Sequence, residues 1–198
     1  MRRFFTPLRS ALLPILAGLC VQTAQAQAYE LPAGTVITGL SNGLSEGLLG
    51  LDSGYAAGPA SHITSLSAED IEYVSADFQF MVDFGADGAL RIYGNTEDGA
   101  VLGSFSLNFS FAGLSESITG FSLSNTAAVS AGSISTQVLG AQEVNLSFSG
   151  LSFAAPFESF TLQLSHMPTV PEPGSLALLC LGLGLLGAAR RNSRGVQA

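Results

Sequence analysis

Large apolar and small polar residues alternate along the middle of the chain with a period of two. Across Ser104–Phe111, the apolar set Phe105, Leu107, Phe109 and Phe111 alternates with Ser104, Ser106, Asn108 and Ser110. Such a pattern places one set on a buried sheet face and the other on the opposite face. Phe78, Phe80, Val82 and Phe84 alternate in the same way with Asp77, Gln79 and Asp83, Met81 being the apolar exception. All four are expected to point inward. Val144, Leu146 and Phe148 repeat the pattern, but Leu151 and Phe153 continue it one residue out of step. Gly150 lies between, which predicts a bulge or turn there. Phe160, Leu162 and Leu164 are the inward set of a last strand, Glu158–Leu164. Ala86-Asp87-Gly88 predicts a tight hairpin into Leu90–Tyr93, and Asn95–Gly99 a second turn. Ser41–Ser61, rich in Gly and Ser, reads as loops and edge structure. No convincing apolar stripe of helical period runs through Tyr29–Val170. The pattern predicts an all-β fold, an antiparallel β-sandwich, jelly-roll-like.

The two ends follow other rules. Met1–Ala28 carries Arg2, Arg3 and Arg9, then the apolar run Ala11–Val21, then Ala24-Gln25-Ala26 and Ala26-Gln27-Ala28. This is the layout of a secretory signal peptide with two small-residue cleavage sites. Cys20 is preceded by Leu19, where a lipidation site needs a small residue, so lipidation is not expected. At the other end, Pro173–Ala189 holds no charge. Its seventeen residues span about 26 Å as a helix, close to a hydrocarbon core of about 30 Å. A transmembrane helix is expected at 174–189. Arg190, Arg191 and Arg194 form a positive stop that keeps this end in the cytoplasm. Ahead of the helix, Val170-Pro171-Glu172-Pro173 brackets one carboxylate with two prolines that hold the backbone extended.

That order of parts, from Val170 to Arg194, resembles the PEP-CTERM sorting signal. The resemblance implies that an exosortase in the inner membrane reads the tail and cuts near Val170–Pro173. It also implies a Gram-negative exported protein, transiently anchored and then released to the cell surface or beyond, associated with extracellular polysaccharide. The chain therefore divides into a signal peptide at 1–28, an exported β-sandwich domain at 29–169 and the sorting signal at 170–194.

Removing both ends sharpens the charge. Tyr29–Val170 carries fourteen carboxylates against Arg91 alone, a net charge near −13 where the whole chain has −8. Such a body is repelled by phosphate backbones, which argues against nucleic acid as a partner. Cys20 and Cys180 both lie in the targeting segments, so the exported domain has no thiol or disulfide and is held by its core. Cys180, within the apolar run, is expected to pack as a small apolar group.

Residues able to carry chemistry are few. Gly39-Leu40-Ser41-Asn42-Gly43 and Gly43-Leu44-Ser45-Glu46-Gly47 match a nucleophile-elbow spacing, but Gly43, Gly47 and Gly50 oppose the helix that must follow the serine. His62 is expected in a solvated stretch, and His166 on the inward phase of the last strand beside the tail. Glu69, Asp70 and Glu72 read as a solvated charged entry to a strand. Asp83, Asp87, Asn95, Glu97 and Asp98 flank two successive turns, where oxygen ligands gathered at one end of the sheet would suit Ca²⁺. No Asp-x-Asp-x-Asp-Gly loop accompanies them, and acidic turn residues are ordinarily structural. The expectation is therefore a non-enzymatic surface or matrix protein without a required cofactor. A carbohydrate-binding module is the alternative, with Tyr55, Tyr73 and Tyr93 as its candidate platform; a glycan-acting hydrolase is the other.

Overall fold

The computed structural model describes residues 26–95, 101–167 and 182–183. The expected signal peptide up to residue 25, Glu97 and Asp98 lie outside the described residues. So do Val170, Pro171, Glu172, Pro173, Arg190, Arg191, Arg194 and, apart from Gly182 and Leu183, the expected membrane helix. Among the described residues no helix is long and apolar enough to cross a membrane.

The described strands, in chain order, are β1 Gln27–Ala28, β2 Val36–Ser41, β3 Leu48–Gly50, β4 Ile63–Ser65, β5 Tyr73–Ser75, β6 Phe80–Phe84, β7 Ala89–Gly94, β8 Val101–Leu102, β9 Phe105–Ala112, β10 Gly120–Asn125, β11 Val129–Gly140, β12 Glu143–Phe153 and β13 Ser159–His166. They form two antiparallel sheets. One runs β3-β5-β6-β7-β13-β10, with β1 also paired to β13. The N–H of Tyr29 reaches the carbonyl of Leu164, and the N–H of Leu164 reaches that of Gly88, so β1 continues the β7 side of β13. The other sheet runs β4-β2-β9-β12-β11, with β8 and β9 sharing one side of β12.

The alternating sets of both sheets meet face to face. Phe84 of β6 packs edge-on against Phe109 and Phe111 of β9, at centroid distances of 5.0 and 5.5 Å. Phe80 stacks on Phe105 at 4.9 Å, and Phe160 of β13 meets Phe148 and Phe153 of β12 at 5.6 and 6.0 Å. These are favourable aromatic geometries, each worth about 0.5–1.5 kcal/mol beyond the area buried. The sandwich is thus a consequence of the period-two phenylalanines.

Several expectations hold in detail. β9 buries Leu107, Phe109 and Phe111, and β13 buries Phe160, Leu162 and Leu164. β12 buries Val144, Leu146 and Phe148, then Leu151 and Phe153. Gly150 makes the change of phase with φ +59, and the register with β11 shifts between the pairs Ala131–Ser152 and Ser133–Ser149. The hairpin between β6 and β7 turns through Gly88 at φ +74. A side chain there would collide with the Tyr29 carbonyl.

Phe78 departs from its expected inward place. It lies ahead of β6 with φ +59 and is 56% exposed. The reason is a local turn. Ser75 Oγ accepts the N–H groups of Gln79 and Phe80 at 2.9 and 3.1 Å, and Asp77 Oδ1 also accepts from Gln79 at 3.3 Å. Those side-chain acceptors compete with strand pairing until Phe80.

Candidate functional site

The described part of the chain begins and ends its sandwich at one place. Gln27 pairs with His166 and Ala28 with Ser165, so the entry from the N-terminal segment lies beside the exit toward the C-terminal tail. Tyr29 secures the join. Its buried hydroxyl donates to the Glu116 carbonyl at 2.7 Å and accepts the Glu116 N–H at 3.3 Å. Burial raises its pKa, as does the nearby Glu116 charge, while the bond to the Glu116 backbone opposes them. The phenol therefore remains a neutral donor. His166 sits edge-on to Tyr29 at 5.4 Å and faces the Glu116 carboxylate through Nδ1. Residues 27–30 with Ser115, Glu116 and His166 line an open cleft of about 400 Å³. His166 is half-buried on the last strand as its phase required, but its partners come from segments distant in sequence.

Glu72 corrects the expectation of a solvated acidic entry. Glu69 and Asp70 are exposed, but Glu72 is fully buried at the start of β5. Its Oε1 accepts the Ser67 N–H at 2.9 Å and its Oε2 the Phe84 N–H at 2.7 Å. Buried backbone donors must be paired, and this carboxylate supplies what the sheet does not. Burial pushes its pKa up to about 7 despite those two bonds, and the Asp83 charge adds to the rise.

The calcium candidates are separated by the hairpin itself. Asp83 pairs with Arg91 across β6 and β7 at 3.3 Å and accepts the Tyr93 hydroxyl at 3.4 Å. Asp87 accepts the Ala89 N–H at 3.1 Å, and the Asn95 amide donates to the Phe78 carbonyl at 2.8 Å. Asp87 precedes β7 and Asn95 follows it, so they stand roughly 20–25 Å apart at a strand rise of about 3.3 Å per residue. They do not meet at one end of the sheet: successive turns of a meander lie at opposite ends. Among the described residues no group of three His, Cys, Asp or Glu side chains is placed to hold a metal ion.

Ser41 ends β2, and Ser45 opens a three-residue 3-10 turn where an elbow would need a helix. His62 is half-buried rather than solvated, with Nδ1 buried and unpartnered among the described residues. The tyrosines form no exposed platform. Tyr73 is fully buried and donates to the Ile37 carbonyl at 2.6 Å, Tyr55 donates to the Ile71 carbonyl at 2.6 Å, and Tyr93 is bound to Asp83.

Two other aromatics are exposed instead. Phe157 is 63% exposed with φ +61, a close counterpart of Phe78 at 56% and +59. A left-handed backbone at a bulky residue is an outlier that costs on the order of 1–3 kcal/mol. Both stand two residues ahead of a strand, Phe78 before β6 and Phe157 before β13, on either side of the end of β7. The Phe157 N–H bonds the Gly94 carbonyl at 2.7 Å, and Asn95 holds the Phe78 carbonyl. Two strand spacings put their backbones about 10 Å apart. From Phe157 to His166 the chain runs the length of β13, so the pair lies roughly 30 Å from the junction of the chain ends. Sequence alternation hid this pair: one member sits on an apparently inward phase, the other between two alternating runs.

Residues 169–194 match the PEP-CTERM protein-sorting motif. The motif implies export, recognition by an exosortase and transient membrane anchoring before sorting to the cell surface. No curated protein and no solved structure matches the chain.

Proposed function

We propose that this chain is a non-enzymatic surface or extracellular-matrix protein of a Gram-negative bacterium, delivered by an exosortase and associated with extracellular polysaccharide. The observation that carries the reading is the sorting motif beginning three residues beyond β13. A tail anchored in the inner membrane would hold the sandwich by its junction end. Phe78 and Phe157 would then face away from the membrane. Their rings suit the apolar faces of sugars, and their exposed neighbours Asp77, Gln79 and Glu158 suit hydroxyl groups. Those acids oppose an anionic lipid surface at the same place. Cleavage of the signal after Ala26 would keep β1, whereas cleavage after Ala28 would remove it.

Sorting is tested by replacing Pro171-Glu172-Pro173 with three alanines in a host that has an exosortase. Alanine favours helix and would extend the membrane segment over the cutting region. The variant should accumulate uncleaved in the inner membrane while the parent loses its tail and reaches the surface, as read by C-terminal mass analysis and fractionation. If both keep Leu176–Arg190 in the same membrane, a static anchor replaces the sorting reading.

Glycan contact is tested by Phe78→Gly with Phe157→Gly. Glycine relieves the left-handed backbone, so thermal stability should hold or rise. Retention on the host's purified polysaccharide should fall by about tenfold, the equivalent of two aromatic contacts of about 0.7 kcal/mol each. Unchanged retention would remove the polysaccharide reading and leave the sorting reading standing.

A further inference from the structure

The long edge of the sandwich is built for pairing. An unpaired strand edge presents a row of backbone donors and acceptors, and folds usually blunt it with shortness, charge, proline or bulges. β3 and β4, the edges at the other side, have three residues each. β11 has twelve residues, with neither a charge nor a proline, and among the described residues only β12 pairs with it. Its register shifts fall toward its two ends, which leaves Ser133–Val138 in unbroken pairing with Val144–Ser149.

Within that run the side chains alternate like those of an inner strand that lacks a neighbour. Ser133, Ser135 and Gln137 are exposed, whereas Ile134, Thr136 and Val138 are only half-buried. Ile134 and Val138 lean on the core without being covered by it. Beside them Leu123, 38% exposed, with Thr126, Val129, Gly132 and Ile134 lines an open cleft of about 240 Å³. The charge pattern is equally one-sided. Eleven of the fourteen carboxylates of Tyr29–Val170 precede Gly99, and from Gly99 to Gln142 the only charged residue is Glu116.

We propose that β11 pairs with β11 of a second copy of this chain, antiparallel about a twofold axis perpendicular to the sheet. A twofold interface uses one patch twice, so it must be its own complement. With Thr136 on the axis, Ile134 stands opposite Val138 of the second copy and Ser135 opposite Gln137, so inward residues face inward residues. The pairing makes one continuous sheet from two, covers the half-buried Ile134 and Val138, and brings no like charges together. A body of net charge near −13 otherwise repels its own copies; this edge is where that repulsion is weakest.

The test uses the full chain with Cys20→Ala and Cys180→Ala, so that one introduced thiol reports. Facing residues of an antiparallel pair have Cα atoms about 4.5–5.5 Å apart, within disulfide reach. Thr136→Cys should give a disulfide-linked dimer on export, and Ala68→Cys, exposed just beyond β4, should not. Cross-linking from both positions alike, or from neither, overturns the pairing. Ser135→Glu supplies a second readout that leaves the half-buried row untouched. Light scattering of the detergent-solubilised chain should show dimer affinity lowered by about tenfold, as charges introduced across a strand pair oppose association, at an unchanged thermal midpoint once both proteins are diluted to monomers. A parent that stays monomeric, or a dimer indifferent to Ser135→Glu, also overturns it.

Discussion

The two sides of the sandwich are closed in different ways. Where β3 and β4 lie, the sheets are stitched by polar groups. The Tyr73 hydroxyl spans to the Ile37 and His62 carbonyls, and Asp52 Oδ2 takes both the N–H and the hydroxyl of Ser65 at 3.0 Å. Gly50 bonds the Ser61 carbonyl at 2.6 Å, and Glu72 binds Ser67 and Phe84. At Gly39 the backbone comes so near that a Cβ would lie 2.8 Å from Leu48 Cδ1. Where β10 and β11 lie, polar links gather at one end, where the Ile118 N–H reaches the Ala141 carbonyl at 2.7 Å and the Gln142 amide the Leu114 carbonyl at 3.1 Å. Between the two strands themselves none appears among the described residues, and Leu123 and Leu139 are 38% and 44% exposed. The difference teaches that closure here depends on polar groups that bridge the sheets, not on apolar content alone. One side carries most of the charge and holds itself shut; the other carries little and depends on what it meets.

The contrast is broken most sharply by matched truncations. Phe109 is fully buried between Tyr73 and Phe84, and Phe109→Ala should cost about 3–5 kcal/mol. Ile134→Ala, at the open side, should cost about 1 kcal/mol or less in a monomeric sample, since its site is already half in water. Chemical-denaturation midpoints decide, and equal losses would mean that the open side is as well packed as the closed one.

A smaller effect sharpens the comparison from the closed side. Glu72→Gln keeps one acceptor but turns an amide donor toward either the Ser67 or the Phe84 N–H. The expected loss is about 1–3 kcal/mol. The pH dependence has a definite sign. Glu72 titrates at about 7 in the fold and near 4.3 in the unfolded chain, so the native state binds its proton more readily. Its stabilising contribution is complete below about pH 4.3 and is lost as pH rises through about 7. The stability gap between parent and Glu72→Gln should therefore be wider at pH 5 than at pH 8. A constant gap would show that Glu72 titrates as an ordinary surface acid.

How much of this was readable beforehand follows the same division. β9, β12 and β13 each bury one face, so their side chains alternate and even the slip at Gly150 is visible in the residue pattern. β10 and β11 bury little of either face, and runs such as Ser-Ala-Gly-Ser-Ile-Ser carry no contrast to read. Phe78 escapes the alternation because Ser75 and Asp77 capture backbone donors that an alternating pattern assigns to a strand. Glu72 resembled any surface carboxylate, since its burial is demanded by N–H groups that only the fold brings together. The pairing of Gln27 with His166 joins opposite ends of the domain, and two residues of strand leave almost no pattern. The sorting tail, in contrast, was recognisable because its order of prolines, apolar run and arginines is local.

The pairing of β1 with β13 also decides how the domain carries a load. Tension arriving through Met167 enters β13 at His166 and runs along the strand axis. β13 is flanked by β7 and β1 on one side and by β10 on the other. A pull along it slides the strand past both neighbours, so many backbone hydrogen bonds are strained together and none can be opened singly. Tension applied between the two chain ends would instead meet only Gln27–His166 and Ala28–Ser165 at first, and would peel them in turn. The same sandwich would be stiff toward its C-terminal tail and soft toward its N-terminal segment.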